Sequence, residues 1–308
     1  MVYIFVMRYL VTGGAGFIGS NLVKQLLVDG HEVTVLDNYA AGKKPERFHD
    51  GANYVEGDIR DERMLDNVVP GIDGIYHLAA LPRITFSVDY PWETHDTNVN
   101  GTKRVLLAAS KHGVKRLIFS SSSSTYGAEK EELLTEDMPK KPKSPYALHK
   151  YLGEHYCRIF SELFGVETVS LVYFNVYGPN FSPDGQYALV VGKFLKQMKN
   201  GEPMTICGDG KYWRDYTHVR DVVRANMLAM ESGAVGKGEM INIGFGKPRT
   251  VIELAELLGG PYVFVPARPG DARFSGADNT KAKKILGWEP SVDLKDGIAA
   301  LKEEWGIA

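Results

Sequence analysis

Cysteine is nearly absent from this chain. The 308 residues include only Cys157 and Cys207, which lie at unrelated places in the sequence. Two isolated cysteines indicate neither a disulfide framework nor a cysteine metal site. With 44% hydrophobic and 24% charged residues, the composition is that of an ordinary globular protein. The length allows one large α/β domain, or a large domain with a smaller lobe.

The chain also lacks an excess of charge of one sign and a long apolar run. Its formal net charge is −2, which argues against broad attraction to nucleic acid or to a membrane. No run reaches the roughly 20 apolar residues of a membrane span. The amino-terminal MVYIFVM is apolar but short, and it has no basic start. We therefore expect a cytoplasmic protein in which residues 1–6 are a short extension before a natural start at Met7.

Short β-branched runs alternate with helical patterns through the first half of the chain. Strands are predicted at MRYLVT, EVTVLD, ANYVEGD, DGIYHLA, VKRLIFSS and ETVSLVYFN, and helices at 17–30, 61–69, about 92–112 and about 145–164. This alternation predicts right-handed βαβ crossovers and a Rossmann-type doubly wound parallel sheet, an α/β fold with helices on both faces.

Beyond Pro179 short strands are mixed with helices. Strands are predicted at MTIC, MINIG and YVFVP, and helices at about 187–199, 221–231, 250–258, 278–286 and 293–304. We predict a sheet domain over 1–178, to which the chain returns at about 215–245, and a smaller mixed α/β lobe over 179–214 and 246–308. The charged runs EKEE (129–132) and KKPK (140–143) are expected to be solvated loop charges. The alternative places the basic run in a flap near a phosphate-bearing ligand.

A glycine-rich turn, TGGAGFIGS, follows the first strand. Gly13, Gly16 and Gly19 fit G-x-x-G-x-x-G, and Gly14, Gly16 and Gly19 fit G-x-G-x-x-G. Such a turn lets the backbone approach a pyrophosphate at a helix N-terminus. The next strand ends in Asp37, 18 residues after Gly19, where a carboxylate can bind ribose hydroxyls and repel a 2′-phosphate. The two signals together predict a dinucleotide site that prefers NAD to NADP.

Two further strand ends carry candidate cofactor contacts. Asp58 follows the third strand and HLAA (77–80) the fourth, and ligands bind at the carboxyl ends of such strands. The alternative for Asp58 is the N-cap of the following helix.

The segment SPYALHK places Tyr146 and Lys150 four residues apart, about one helical turn. A phenol beside a fixed ammonium is suited to proton transfer, because the cation lowers the tyrosine pKa from about 10 toward the working range. The lysine can also hold a nicotinamide ribose. The fifth strand ends in FSSSSSTYG (119–127), whose serines suit a polar cavity and offer a hydroxyl to bridge substrate and tyrosine.

These motifs resemble the extended short-chain dehydrogenase/reductases, and among them the UDP-galactose (UDP-glucose) 4-epimerases. The likeness runs from Met7 nearly to the C-terminus. It rests on TGGAGFIGSNL, HLAA, NVNGT, FSSSSSTYG, SPYALHK, YFNVYGP, GDGKYWRDYTHVRDV and RPGDARFSGADNTKAKKILGW.

The resemblance implies roles for individual residues. The catalytic set is Ser122, Tyr146 and Lys150. NAD contacts are implied for Gly13, Gly16, Phe17, Ile18, Gly19, Asp37, Asn38, Asp58, Ile59, Leu78, Ala79, Ala80, Asn98, Ser120, Tyr146, Lys150 and Tyr173. UDP-sugar contacts are implied for Ser122, Tyr146, Asn175, Val190, Thr205, Cys207, Arg214, Arg268, Asp271 and Ser275. Asn98 has an alternative role in bridging backbone groups, and the two arginines alone would more often be surface ion pairs.

The activity implied by the resemblance is a reversible C4 epimerisation of UDP-galactose and UDP-glucose through a 4-keto intermediate, with NAD kept bound. The resemblance also implies a homodimer built from the helices around 92–112 and 145–164, which predicts apolar outward faces there.

The chain departs from the family pattern at three positions. Pro82 replaces a basic residue after HLAA, with Arg83 next to it, and Val172 replaces an arginine. Ser275 stands where a bulky residue narrows the sugar pocket in some relatives, so the pocket could admit N-acetylated sugars.

Several rival functions remain open at the level of sequence. A 4,6-dehydratase is disfavoured because Ser123 and Ser124 replace its acidic pair. A UDP-glucuronate epimerase or decarboxylase would need an extra clamp, for which Arg83 is the candidate. The rival outside enzymes is an NAD(H)-sensing scaffold, against which the intact Ser122, Tyr146 and Lys150 argue.

Overall fold

The structure is a computed structural model that describes residues 6–127, 132–181, 189–267 and 273–307. Its strands are β1 Arg8–Thr12, β2 Glu32–Asp37, β3 Asn53–Glu56, β4 Gly74–His77, β5 Arg116–Ser122, β6 Glu167–Tyr173, β7 Val176–Tyr177, β8 Met204–Cys207, β9 Trp213–Arg214, β10 Thr217–His218, β11 Lys237–Ile243, β12 Arg249–Thr250 and β13 Tyr262–Val265. Its α-helices are α1 Phe17–Val28, α2 Glu62–Val68, α3 Ile84–Asp89, α4 Pro91–His95, α5 Thr102–Lys111, α6 Pro145–Leu163, α7 Val190–Lys199, α8 Val219–Glu231, α9 Val251–Leu258, α10 Thr280–Leu286 and α11 Leu294–Trp305. A π-helical turn, Asp96–Gly101, joins α4 to α5.

Seven parallel strands form the central sheet in the order β11-β6-β5-β4-β1-β2-β3. Strand β1 pairs with β2 on one side and β4 on the other, so the strand order reverses at β1. A crevice opens at such a reversal beside the carboxyl ends of the strands. The Rossmann-type parallel sheet predicted from the sequence is confirmed.

Helices cover both faces of the sheet. Tyr9 and Val11 of β1 point to the face packed by α1 and α8, whereas Leu10 points to the face packed by α2, α5 and α6. Because both faces are covered, strands β1, β4, β5 and β6 are buried at nearly every position rather than at alternate ones.

A separate apolar cluster holds the helices outside the sheet. Phe194 of α7, Leu254 of α9 and Ile298 of α11 pack together with Met204 and Ile206 of β8. Helix α10, although predicted in the smaller lobe, contributes Ala282 and Leu286 to the core beneath the central sheet. The division into a 1–178 domain and a lobe stays a prediction.

The expectation for the charged loop run at 140–143 is wrong for Lys140. Its side chain is 3% exposed, and its Nζ lies 2.7 Å from a carboxylate oxygen of Glu154, whose side chain is 1% exposed. A carboxylate buried on α6 requires such a partner. In the other run, Glu132 is exposed, and residues 129–131 lie outside the described residues.

None of the helices in the described ranges is both long enough and apolar enough to cross a membrane.

Candidate active site

A cavity of about 1180 Å³ lies at the carboxyl ends of the central strands. One side is lined by the turn after β1 and the ends of β2, β4 and β5, and the other by residues of α7, β8, β9 and the segment at 274–275. The cavity therefore joins the predicted cofactor and substrate residues in one space.

The glycine turn is built for close approach. Gly13 has φ +73°, and a Cβ there would lie 2.6 Å from the backbone nitrogen of Ala79. A Cβ on Gly19 would lie 2.2 Å from the carbonyl oxygen of Gly13, so only glycine lets α1 begin this close to the turn. No side chain caps the helix at Gly16, which leaves its first N–H groups for a phosphate.

Asp37 ends β2 beside this turn and lines the cavity. Its Oδ2 accepts the N–H of Ala15 at 3.0 Å, and its Oδ1 accepts the N–H of Tyr39 at 2.8 Å. Burial raises the pKa of Asp37, although these two bonds oppose that rise. The backbone thus holds the carboxylate at the position that the sequence predicted for ribose binding.

Asp58 is held by side chains rather than serving as a helix cap. Hydrogen bonds from Arg60 and then from Asn38 lower its pKa to about 2, against the opposing effect of burial. The N-cap of α2 is Asp61, so the alternative role considered for Asp58 is wrong. Asp58, Asn38 and Ile59 all line the cavity.

Asn98 lies outside the cavity lining. Its amide Oδ1 accepts the N–H of Leu81 at 2.8 Å, and its Nδ2 donates to the Leu81 carbonyl at 3.0 Å. The alternative role, bridging backbone groups, is the one observed in the structure. The loop that it holds contributes Leu78, Ala79 and Ala80 to the cavity.

Helix α6 carries the tyrosine and the lysine. Ser144 caps its first turn by accepting the N–H of Ala147 at 3.2 Å, and Pro145 fits the first helical position. A Cβ on Gly153 would lie 2.3 Å from the ring of Phe119, so this glycine brings α6 close to β5. The Nζ of Lys150 then reaches the Ser120 carbonyl at 2.7 Å.

Tyr146 and Ser122 meet at the end of β5. The Ser122 hydroxyl acts against the effect of burial on the pKa of Tyr146, and it accepts a hydrogen bond from the Oγ of Ser124 at 3.0 Å. The backbone N–H of Tyr146 donates to Ser87 of α3 at 3.0 Å. The structure therefore brings the three predicted catalytic residues to one wall of the cavity.

The expected effect of Lys150 on the Tyr146 pKa is not observed. Burial raises the pKa of Tyr146, and the opposing effects come from the Ser122 hydrogen bond and then from the charge of Arg83. The Lys150 ammonium is instead directed to the Ser120 carbonyl, and burial lowers its own pKa to about 8. The sequence indicates Arg83 as a departure from the family pattern and as a candidate sugar clamp, but its spacing from Tyr146 gives no signal that it acts on the tyrosine.

Tyr173 and Asn175 follow β6 into the cavity. The Tyr173 hydroxyl lies 3.1 Å from the Ser120 Oγ and donates to Asn226 at 2.9 Å, and burial raises its pKa to about 12. The Nδ2 of Asn175 donates to the Oγ of Ser275 at 3.2 Å.

The remaining substrate candidates line the opposite side. Arg214 lies on β9 with its guanidinium 5.6 Å from the ring centre of Tyr212, and its Nη1 donates to the Trp213 carbonyl. The backbone N–H of Thr205 donates to Gln197 at 3.1 Å. Val190, Cys207 and Ser275 complete the set that the structure brings together, while Arg268 and Asp271 lie outside the described residues.

Arg47 is a cavity residue that sequence reasoning missed. It is 1% exposed, and its Nη2 donates to the Asn180 carbonyl at 2.7 Å across a separation of 133 residues. An arginine in a loop gives no sequence signal for burial of this kind.

These features fit NAD. The uncapped N-terminus of α1 faces the space where a pyrophosphate would lie, Asp37 is placed for the ribose, and Lys150 and Tyr173 line the space beside Tyr146. The fold and the site define a short-chain dehydrogenase/reductase-type enzyme.

Comparison with known proteins gives the family. Residues 9–244 match the family model described as the NAD dependent epimerase/dehydratase family. A UDP-glucose 4-epimerase of Mycolicibacterium smegmatis is 40% identical over 312 residues, covering 96% of this chain and 98% of that protein. The chain belongs to the NAD dependent epimerase/dehydratase family, and NAD is its cofactor.

Solved structures agree with this assignment. The UDP-glucose 4-epimerase of Thermotoga maritima, solved with UDP-glucose, is similar with a TM-score of 0.92 at 42% identity, over 97% of this chain and 98% of that one. A UDP-N-acetylglucosamine 4-epimerase of Methanobrevibacter ruminantium, in complex with UDP-N-acetylmuramic acid, is similar with a TM-score of 0.89 at 32% identity, over 97% and 99% of the two chains.

Proposed function

We propose that this enzyme interconverts UDP-galactose and UDP-glucose by reversible epimerisation at C4. The observation that carries the proposal is the convergence of Ser122, Tyr146 and Lys150 on the same cavity as the glycine turn and Arg214. The names of the relatives at 40% and 42% identity support the same activity.

Tyr146 is the group that moves the proton. In its phenolate form, Tyr146 accepts the O4 proton of the sugar directly or through Ser122, and the resulting phenol returns that proton after the 4-keto sugar has rotated to present its opposite face. Bound NAD supplies a reversible acceptor for the hydrogen at C4. Lys150, fixed by the Ser120 carbonyl, is available to hold the nicotinamide ribose.

The far side of the cavity holds the nucleotide in this proposal. The Arg214 guanidinium suits a diphosphate, and Val190, Thr205 and Cys207 line the space for the uracil. Binding through UDP leaves the sugar free to rotate between the two hydride transfers, because the binding energy acts on the part of the substrate that does not react. The roles of Arg268 and Asp271 in this set stay a prediction.

UDP-N-acetylated sugars are a second candidate substrate. Ser275 has a small side chain and is 8% exposed. Its Oγ accepts a hydrogen bond from Asn175 at 3.2 Å and donates one to the Ser123 Oγ at 3.4 Å. A small residue leaves space that a tyrosine would fill, and one structural relative is a UDP-N-acetylglucosamine 4-epimerase. Ser123 and Ser124 argue against dehydration, since neither hydroxyl can serve as a carboxyl acid or base.

We also propose a homodimer and a cytoplasmic location. The dimer is supported by exposed apolar side chains along α4, α5 and α6, at Trp92 (84% exposed), Leu107, Leu148 and Leu163. Large exposed apolar side chains on neighbouring helices are typical of interaction surfaces.

The test is to incubate the purified protein with UDP-galactose and no added cofactor, and to separate the nucleotide sugars by chromatography. UDP-glucose is the expected product, and its absence would refute the epimerase proposal. UDP-xylose from UDP-glucuronate, or a 4-keto-6-deoxy sugar, would select another member of the family. Bound NAD with no turnover of any of these sugars would favour the NAD(H)-sensing alternative.

A further inference from the structure

Glu154 is a buried carboxylate one helical turn beyond Lys150 on α6. It is 2% exposed, and it accepts hydrogen bonds from two groups that belong to different parts of the fold. The Oγ of Ser121 donates to its Oε1 at 2.5 Å, and the Nζ of Lys140 donates to both of its oxygens at 2.7 Å. The sequence predicts neither Glu154 as a site residue nor its pairing with Lys140 and Ser121.

Ser121 stands between two residues of the active site. Its neighbour Ser120 accepts the Lys150 ammonium through its carbonyl, and its other neighbour, Ser122, is hydrogen-bonded to Tyr146. The hydrogen bond from Ser121 to Glu154 therefore fixes this strand end to the same helix that carries Tyr146 and Lys150. A shift of β5 along α6 would disturb both catalytic contacts.

Glu154 also acts on the charge of Lys150. Burial lowers the pKa of Lys150 to about 8, and the opposing effects come from Cys157 and Glu154. Burial raises the pKa of the Cys157 thiol to about 12, so that group is uncharged near pH 8. His77 and His149 also face Lys150, and burial lowers their pKa values to about 3 and about 4, so both are neutral there. Among these neighbours, Glu154 is the one that forms an ion pair, with Lys140.

Lys140 belongs to a segment that joins this pair to the sugar side of the cavity. Its Nζ lies 4.8 Å from the ring centre of Tyr126, and earlier in the segment the N–H of Leu134 donates to the Gly276 carbonyl at 2.8 Å. Gly276 directly follows Ser275. The segment therefore contacts α6 at one end and the proposed sugar pocket at the other.

We propose that the buried Lys140–Glu154 pair is a positioning element of the active site. Glu154, one helical turn from Lys150 and hydrogen-bonded to Ser121, holds the end of β5 against α6 and acts on the Lys150 ammonium, and Lys140 neutralises part of the Glu154 charge. The proposal rests on the proposed function for its turnover measurements. A pair with only a structural role would affect stability without moving the ionisation of Lys150.

The test compares Glu154→Gln and Lys140→Met with wild type in two measurements across pH 6 to 10: kcat for UDP-galactose, and the affinity for NADH by fluorescence. Both kcat and NADH affinity should fall at high pH as Lys150 loses its proton, and this fall is the alkaline limb of each profile. In Glu154→Gln the alkaline limb should move to lower pH by about 1 unit, because the Lys150 ammonium loses an opposite charge within one helical turn. In Lys140→Met the limb should move to higher pH, because the carboxylate is no longer neutralised.

The controls are the same substitutions at exposed neighbours, Glu162→Gln on α6 and Lys141→Met in the loop. Neither should move the limb. Because Lys140→Met leaves a buried charge unpaired and can fail to fold, the double variant Lys140→Met/Glu154→Gln is included. It should fold and show the limb of Glu154→Gln, since Lys140 acts through Glu154.

The proposal is overturned if the alkaline limb of Glu154→Gln lies at the same pH as that of the wild type. It is also overturned if the double variant Lys140→Met/Glu154→Gln has its alkaline limb at the wild-type pH. A wild-type protein that converts no UDP-galactose would refute the proposed function instead. The NADH affinity profile would still decide the role of the pair, because it requires only the cofactor.

Discussion

Tyr146 is placed in an environment that raises the pKa of its phenol through burial, while the Ser122 hydrogen bond and the Arg83 charge act against burial. Burial thus favours the protonated phenol, and contacts that stabilise the phenolate oppose it. In the proposed mechanism, proton transfer at Tyr146 therefore depends on these contacts, which single substitutions can remove.

We expect Tyr146→Phe to lower kcat for UDP-galactose by about 10²–10⁴-fold, because phenylalanine keeps the ring and removes only the group that moves the proton. NAD should stay bound, since the glycine turn and Asp37 are unchanged. The measurement is steady-state turnover together with the NAD content of the purified variant. An unchanged kcat would remove the tyrosine from the mechanism.

Arg83→Met should raise the pKa of Tyr146, because the guanidinium lowers it in the wild type. If the phenolate is the reactive form, the acid limb of the kcat profile moves to higher pH, by on the order of 1 unit. The same substitution at the exposed Arg63 on α2 is the control. An acid limb that stays in place would show that Arg83 does not act on the phenol.

At the scale of elements, two glycines set distances that no other residue permits. Gly19 allows α1 to start against the carbonyl of Gly13, and Gly153 allows α6 to lie against Phe119. The first contact shapes the cofactor site, and the second brings Lys150 within reach of β5.

Gly19→Ala should weaken NAD binding by about tenfold or more, a loss of about 1.4 kcal/mol, because its Cβ would lie 2.2 Å from the Gly13 oxygen and α1 would have to move. Gly233→Ala is the control, since a Cβ there meets no atom within 4 Å. Titration with NAD by calorimetry gives both affinities. Equal affinities for the two variants would contradict the close-approach argument.

At the scale of the whole molecule, the cavity forms only because segments distant in sequence meet across it. Ser123 follows β5, whereas Ser275 lies 152 residues later, yet their hydroxyls are 3.4 Å apart. We therefore expect the choice of sugar substrate to depend on how the segment at 274–275 is placed against the central sheet.

Ser275→Tyr should reduce kcat/KM for UDP-N-acetylglucosamine at least about tenfold more than for UDP-glucose, because the larger ring takes the space of the acetamido group. Ser275→Ala keeps the space and should preserve the ratio of the two substrates. Parallel rate measurements with both sugars test this. An equal reduction of kcat/KM for the two sugars in Ser275→Tyr would contradict the prediction that Ser275 leaves space for the acetamido group.

For the proposed homodimer, Leu148→Glu should shift sedimentation from dimer to monomer, because Leu148 is 44% exposed on α6 and a carboxylate there cannot be buried without a partner. Val28→Glu, a substitution of a 72% exposed apolar residue at the end of α1, is the control. A Leu148 variant that sediments like wild type would argue against this face as the interface.

Many of the candidate site residues were predictable because they lie at the carboxyl ends of strands. Gly13 directly follows β1, Asp37 ends β2, Asp58 lies two residues beyond β3, and Ser120 lies in the last three residues of β5. Parallel strands place such residues at one edge of the sheet. The pair Tyr146 and Lys150 was predictable from helical spacing. Asn98, by contrast, required the structure, because its contact with Leu81 depends on the path of a loop.

The sequence alone predicted the parallel sheet, the glycine turn of the NAD site and the candidate pair Tyr146 and Lys150, because periodicity and local spacing encode which residues share a strand end or a helix face. Only the tertiary structure decided that Arg83 rather than Lys150 acts on the Tyr146 phenol, and that Lys140 is buried against Glu154. The reason is that a charge acts through distance and burial, and both are set by segments that meet only once the chain has folded.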